Sequence, residues 1–509
     1  MSSTTSSEHS KAPTVGGYAR KLSIKPKPSI TIHINNYYRS KVYTTGSEIT
    51  GHVAINPQTD VRFDSLQIVL LGTTKTRVDA VSVPQSTAHT FLKLTMPIPE
   101  SSYPVPRVFE AGMNYTLPFT FVIPSTLTLN ACSHHVANSS VQEHHTRLPP
   151  TVGSWEKDDF APNMSRVQYA IKARVYRDED SGSGVVSEKI LEAMREIRVL
   201  PAAPEDPPLN VNKYDDLYTM SKSKTLRRTI ISPRAGRVTV TAQQPGAAML
   251  SPDGQTATST AVPLDLAFEP AAGSGDVQPP RITAVSSKIT AVTYFSAVGV
   301  NHYPNLRNSR RSFGSEGRGS YSGTTSASTG PVGTIRWDRQ FTAQARRDSG
   351  YGSEGPSSSS ESDPMVPKKR KDSTESPIVY TARVRVPVQV PAQKKAFVPT
   401  FHSCIASRVY VLWLTVSLSS GGATAHVTLG VPLQIGVRGS SGSSDGDRAA
   451  SELPPSFQEV EEADEADEFW RPRVLGVPAV QFDRSSAVGA GGLPGYADLD
   501  FRRRTVAAH

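Results

Sequence analysis

Five side chains able to bind a metal crowd into "NACSHHVANSSVQEHHTR": the thiol of Cys132 and the imidazoles of His134, His135, His144 and His145. Thiolate and imidazole are the ligands zinc prefers. Their order matches no common zinc spacing, however, and the stretch reads as a surface loop between strands, so no metal is expected. The only other cysteine, Cys404, lies too far along the chain to suggest a disulfide framework. Asp158 and Asp159 are adjacent carboxylates on a turn, where such pairs cap or solvate backbone more often than they move protons. The sequence has no Gly-x-x-x-x-Gly-Lys and no Gly-x-Gly-x-x-Gly opening a helix, and its Gly-x-Ser-x-Gly match, Gly442–Gly446, sits in a Ser/Gly-rich run without strand or helix patterning around it. Neither catalysis nor a cofactor is expected.

Modification chemistry is better represented. Ser349 follows Arg346 and Arg347 in an Arg-Arg-x-Ser arrangement that basophilic kinases favour, and with Ser353 it completes an Asp-Ser-Gly-x-x-Ser string like a phosphodegron. Ser312 in "SRRSFGS" and Ser232 in "IISPRAG" are further candidates. Phosphate added at such sites would create a ligand for a protein such as 14-3-3, or repel an acidic membrane.

The proline-rich tail offers a different chemistry. A WW domain grips a polyproline helix, which is already extended and loses little entropy on binding. Leu453, Pro454 and Pro455 supply the groove-filling half of a Pro-Pro-x-Tyr ligand, with Phe457 in the place of the tyrosine. The missing hydroxyl costs about 1 kcal/mol of binding, and up to about 3 where a buried partner is left unsatisfied. A second imperfect copy keeps Pro494 and Tyr496 but has Leu493 for the first proline. Tethering lets two weak sites act together. A proline-rich loop without a partner remains the alternative.

The chain around these residues has 509 positions, net charge +9, 37% hydrophobic residues and 40 prolines. That hydrophobic share is low and the proline count high for a fully folded chain. Folded blocks separated by Ser/Gly/Pro-rich disorder are therefore expected. The amino terminus lacks the apolar stretch of a signal peptide or anchor. The longest apolar run, Val409 to Leu418, is about half the length of a membrane span. These features favour a reducing cytosol, in which the Asn-x-Ser/Thr matches at Asn114, Asn138 and Asn163 are fortuitous. Basic clusters at 222–228, 308–312 and 367–371 read as solvated charge. No aromatic residues alternate with them, so a nucleic-acid partner is not expected.

Residues 29–200 show strand alternation throughout. Ile30, Ile32 and Ile34 share a face, as do Leu66, Ile68 and Leu70, Tyr115 through Phe121, and Val167 through Val175. Only 187–197 could pass for a helix, and its end reads as strand. After a linker at 201–236, the same pattern resumes over 237–437, interrupted by a low-complexity insertion at 301–376. Residues 1–28 and 438–509 read as disordered tails. Short strands between Gly/Pro/Asn turns predict an all-β chain of two tandem immunoglobulin-like β-sandwiches.

Several phrases narrow that further. "VYTTGSEITGHVAIN", "FDSLQIVLLGTTKTRV" and "LPFTFVIP" resemble successive strands of the arrestin amino-terminal domain. "LPPTVGSWEKDDFAPNMSRVQYAIKARV" resembles a turn and strand of fungal members, and "FVPTFHSCIASRVYVLWLTVSL" with "VTLGVPLQIGV" resembles the carboxyl-terminal domain more loosely. The chain is thus similar to fungal arrestin-like proteins of the alpha-arrestin, or arrestin-related trafficking adaptor, kind. The resemblance implies a non-enzymatic adaptor whose arrestin fold binds plasma-membrane transporters or receptors, and whose tail recruits a HECT-type ubiquitin ligase through WW domains. Cargo is then ubiquitinated and internalised, and the adaptor is cytoplasmic, reaching plasma membrane or endosomes through that cargo. A sorting or signalling scaffold without ligase recruitment stays open, as does a nuclear regulator imported through the basic run Lys368–Lys371.

Overall fold

Side chains that alternate every second residue carry most of the chain into strands, because only a pleated backbone puts such residues on one buried face. The structure, a computed structural model, describes residues 29–79, 84–181, 184–227, 234–271, 278–306, 317–332, 335–341, 378–420 and 423–439. Of these, 56% are strand and 4% helix. All lie within the unit Met1–Ser440.

The first 200 residues build two larger sheets and a two-stranded ribbon of Val61–Arg62 with Val108–Phe109. In one, Glu48–Ile55 lies between Ile30–Ile34 and Tyr115–Val122, both antiparallel to it. In the other, the order is Val42–Tyr43, Gly184–Val199, Ser165–Ser181, Ser65–Val78, Gln85–Thr95. Register explains why the alternation was so clear. Ile32 pairs with Val53 and Val53 with Leu117, while Leu70 pairs with Ile171, so apolar side chains line up across strands. Val167, Tyr169, Ile171, Ala173 and Val175 are all fully buried. A slip of one residue would turn this whole set to solvent, so the pattern itself fixes the pairing. Residues 187–197 are strand over their full length, with a bulge at Lys189/Leu191.

The second half forms a ten-stranded sheet whose path of eight strands begins at Ser221–Arg227, with two more strands paired off that path. Ala406–Ser420 sits near its far end, paired with Arg281–Ser296 over fourteen positions and with Ala423–Leu433 on its other side. That strand contains the longest apolar run, and Val411, Leu412, Leu414, Val416 and Leu418 are fully buried. Among the described residues, no helix is long and apolar enough to cross a membrane. Most buried apolar residues of both halves belong to one continuous cluster, beside which stand a smaller one around Tyr218, Val292 and Val411 and another of Cys132, Cys404 and Ile405.

Three expectations need correction. The predicted linker at 201–236 is partly built into the sheets: Ala203 bridges Val437, Thr219 bridges Gly430, and Ser221–Arg227 pairs with Arg234–Ala242. Lys222, Lys224 and Arg227 are therefore exposed side chains of a strand at the end of a sheet, a placement that discourages edge-to-edge pairing. Within the predicted insertion at 301–376, Arg318–Thr329 forms a twelve-residue strand against Arg281–Ser296, and Asp338–Phe341 pairs with Ile378–Gln389. The Gly/Ser-rich composition that suggested disorder serves close packing there. A Cβ on Gly319 would lie 2.6 Å from the Phe295 ring, and one on Gly323 would lie 2.8 Å from Phe160. Finally, the histidine-rich segment contains a helix, Ser139–Thr146, where a loop was expected. Asn138 caps it by accepting a hydrogen bond from the Val141 amide.

Candidate functional site

The peptide and phosphorylation candidates (Leu453, Pro454, Pro455, Phe457, Leu493, Pro494 and Tyr496; Ser232, Ser312, Ser349 and Ser353) lie outside the described residues, as do the Arg and Lys clusters at 308–312 and 367–371. The chemistry that the structure does place is concentrated along the seam between residues 129–161 and the second half.

At one end of this seam a single turn of 3-10 helix, Leu129–Ala131, delivers Cys132, and the helix Ser139–Thr146 turns Val141 and His145 inward. A tight turn before Ala406–Ser420 brings in Cys404. Cys132, His134, His145 and Cys404 each offer one ligand atom, and these atoms all lie within 4.8 Å of one another. Cys132 Sγ is 3.5 Å from His145 Nδ1 and 3.7 Å from His134 Nε2. His134 Nδ1 donates to the carbonyl of His135 at 3.1 Å, which leaves Nε2 as the ring's lone-pair nitrogen. Both cysteines are free thiols and buried, as is His145, while His134 is half-buried. Burial, then the neighbouring Cys132, pushes the Cys404 thiol up to about 12. Burial, then the nearby His134, His144 and His89, pulls His145 down to about 4. Three of the five residues singled out in the sequence thus converge, joined by Cys404 from 259 positions beyond His145. His135 and His144 point elsewhere.

His144 instead joins a cavity of about 250 Å³ lined by Ser140, Asp206, Tyr218, Tyr303 and His402. Its Nε2 is 3.3 Å from Asp206 Oδ2, and Arg147 donates to Asp206 Oδ1 at 2.7 Å. Burial raises the Asp206 carboxyl, but the hydrogen bonds from His144 and Arg147 outweigh it and hold the group down at about 2. Tyr303 Oη reaches both Ser140 Oγ, at 2.7 Å, and His144 Nδ1, at 2.8 Å. His402 stacks edge-on against His144 and Tyr303. Its burial, reinforced by His144 and His145, takes it down to about 3, and its Nδ1 has no hydrogen-bond partner among the described residues.

Further along the seam, Arg408 is fully buried. Its Nε donates to Thr293 Oγ1 at 2.9 Å, its Nη1 to the carbonyl of Asp159 and its Nη2 to that of Phe160 at 3.3 Å. The Asp158–Asp159 pair performs the backbone-bonding role expected of it. Asp159 accepts from the amides of Gly153 and Ala161, and Asp158 accepts from the Phe160 amide and from Lys395 Nζ at 2.5 Å. Lys395, followed by the Phe160 amide, lowers the Asp158 carboxyl. These bonds hold Phe160 at φ +57°, a left-handed conformation that costs an aromatic residue about 1–3 kcal/mol. Its ring packs on Phe397 across the seam.

Sequence spacing gave no means of finding Cys404 or Arg408 as partners, since both reach the seam only through the sheet topology. Tested against known proteins, the sequence matches no family model and no curated protein.

Proposed function

We propose that the chain is an arrestin-like adaptor of the alpha-arrestin kind, in which two tandem immunoglobulin-like β-sandwiches recognise cytosolic parts of a membrane transporter or receptor. In this reading it makes and breaks no covalent bond. The tail peptide Leu453–Phe457, supported by Leu493–Tyr496, recruits a HECT-type ligase through WW domains, and the ligase ubiquitinates the cargo for internalisation. Phosphorylation at Ser232, Ser312, Ser349 or Ser353 regulates the complex, with 14-3-3 proteins as readers. The adaptor is cytoplasmic and reaches the plasma membrane or endosomes through its cargo.

The observation that carries this reading is how the seam uses its ionisable groups. Arg408 reaches the carbonyls of Asp159 and Phe160 from a later strand, while Asp158 and Asp159 accept from amides of their own segment, so these charges are spent on holding backbone. Such a body suits recognition over a rigid surface. Retention of the full chain on immobilised WW domains tests the recruitment step. Wild type is expected to bind and Pro454→Ala/Pro455→Ala to be lost, whereas a wild type that is not retained overturns recruitment through this peptide. A second reading, an arrestin-fold sorting scaffold without ligase recruitment, is favoured by Phe457 and Leu493 standing where Pro-Pro-x-Tyr has tyrosine and proline.

A further inference from the structure

We propose that Cys132, His134, His145 and Cys404 bind one zinc ion in a closed, tetrahedral, structural site that ties the segment 132–145 to the second half of the chain. The argument is geometric first. Zinc bonds of about 2.3 Å to sulfur and about 2.0–2.1 Å to nitrogen put neighbouring ligand atoms of a tetrahedron about 3.3–3.8 Å apart, a sulfur–nitrogen pair falling near the middle. Cys132 Sγ stands 3.5 and 3.7 Å from the two imidazole nitrogens, and no pair in the foursome exceeds 4.8 Å. Small side-chain rotations complete the shell.

The surroundings suit a metal in three further ways. His134 has its second ring nitrogen committed to the His135 carbonyl, the outer hydrogen bond that typically fixes the tautomer of a ligating histidine. Gly299 leaves room for that ring, because a Cβ there would come within 2.6 Å of it. The turn bearing Cys404 is pinned by backbone bonds from Val300 to the Cys404 carbonyl and from Ser296 to that of Ile405. Charge also balances. Binding releases two protons as both thiols become thiolates, and a dipositive ion with two thiolates and two neutral imidazoles is neutral, which a buried site tolerates best. Two sulfurs and two nitrogens in tetrahedral array favour zinc over hard cations, and four protein ligands leave no position open for catalysis.

This inference does not depend on the adaptor reading. The full chain, purified from zinc-supplemented cells without chelator, is expected to carry one zinc per chain by elemental analysis. Exchange for cobalt(II) should give the intense visible absorption of a tetrahedral thiolate site. Cys404→Ser and the less buried His134→Gln should each lose stoichiometric metal, while His135→Ala retains it. Chelator should lower the melting temperature of wild type and leave that of His134→Gln unmoved. Two titratable thiols without metal, a chain two hydrogens lighter through a Cys132–Cys404 disulfide, or metal retained equally by His134→Gln would each overturn the proposal.

Discussion

Arg408→Met is the sharpest test of how the seam is held. Methionine keeps an unbranched apolar stem of similar length but removes three donors at once. The acceptors left behind are the Thr293 hydroxyl and the carbonyls of Asp159 and Phe160, on residues that are all at most 6% exposed. Water cannot readily replace the guanidinium there. Each hydrogen bond from a charged donor contributes about 1.5–3 kcal/mol, and an unsatisfied buried acceptor costs about 1–3. Against this stands the relief of no longer burying a cation, worth several kcal/mol in its own right. The sum favours net destabilisation of about 3 kcal/mol. Arg408→Lys should recover only part of it, because one ammonium cannot span three acceptors held by a planar fork. Urea unfolding followed by tryptophan fluorescence reads this directly, since Trp155 lies in the segment that forms one side of the seam and Trp413 lies on the strand carrying Arg408. A Met variant within about 0.5 kcal/mol of wild type would refute the reasoning, showing that the apolar seam suffices and that Arg408 is paired no better than it is desolvated.

Two further outcomes follow from packing and charge. A Cβ added to Gly51 would lie 2.1 Å from the His33 carbonyl oxygen and 2.7 Å from the Phe119 ring, so Gly51→Ala should cost about 3 kcal/mol by forcing strands apart. Gly246→Ala, whose Cβ meets only Glu205 Oε1 at 3.5 Å, should leave the thermal midpoint essentially unchanged; equal behaviour of the two would discredit the steric account. Asp206 is held at about 2 in the folded chain, below the ordinary carboxylate value near 3.9, so its stabilisation is complete above about pH 4 and is lost as pH falls toward 2. The shift corresponds to about 2.5 kcal/mol, and solvent screening of this half-buried group reduces that to about 1. Urea midpoints measured across that range should fall less steeply for Asp206→Asn than for wild type, and parallel curves would rule the linkage out.

Much of the β architecture was legible because burial and periodicity coincide. From Val167 to Val175 every second residue is apolar and every one is buried, so pattern and fold carry the same information. Arg318–Thr329 was illegible for the opposite reason. Its Ser, Gly and Thr residues bury little, and its strand conformation is imposed by pairing with Arg281–Ser296, a tertiary effect with no local signature. The helix Ser139–Thr146 is short and mostly polar, too brief for its periodicity to stand out, although Asn138 at its start was a readable cap signal. The metal-binding residue types were visible at Cys132, His134 and His145, but their grouping was not. Spacing rules assume that ligands come from one local unit, and the fourth donor arrives from a turn more than 250 residues later.

The seam's contacts share an origin that explains why one stretch of sequence matters so much to it. Residues 401–408 form the pair Phe401–His402, the Cys404 turn and the start of Ala406–Ser420. From this stretch His402 reaches the His144 cavity, Cys404 the thiol–imidazole cluster, and Arg408 the carbonyls of Asp159 and Phe160. Nearby backbone and hydroxyl bonds run the same way, from Ala137 to the Asn301 carbonyl, from Thr76 to that of Ser296 and from Thr87 to that of Ala297. Apolar contact alone is non-directional and tolerates small shifts of one sheet over another. Hydrogen bonds with fixed donors and acceptors do not, since a displacement of about 1 Å breaks them. The two sides of the seam therefore gain a fixed orientation from polar groups that add little net stability. Residues 401–408 supply three of these contacts from one short stretch, so a displacement of that stretch disturbs all three together.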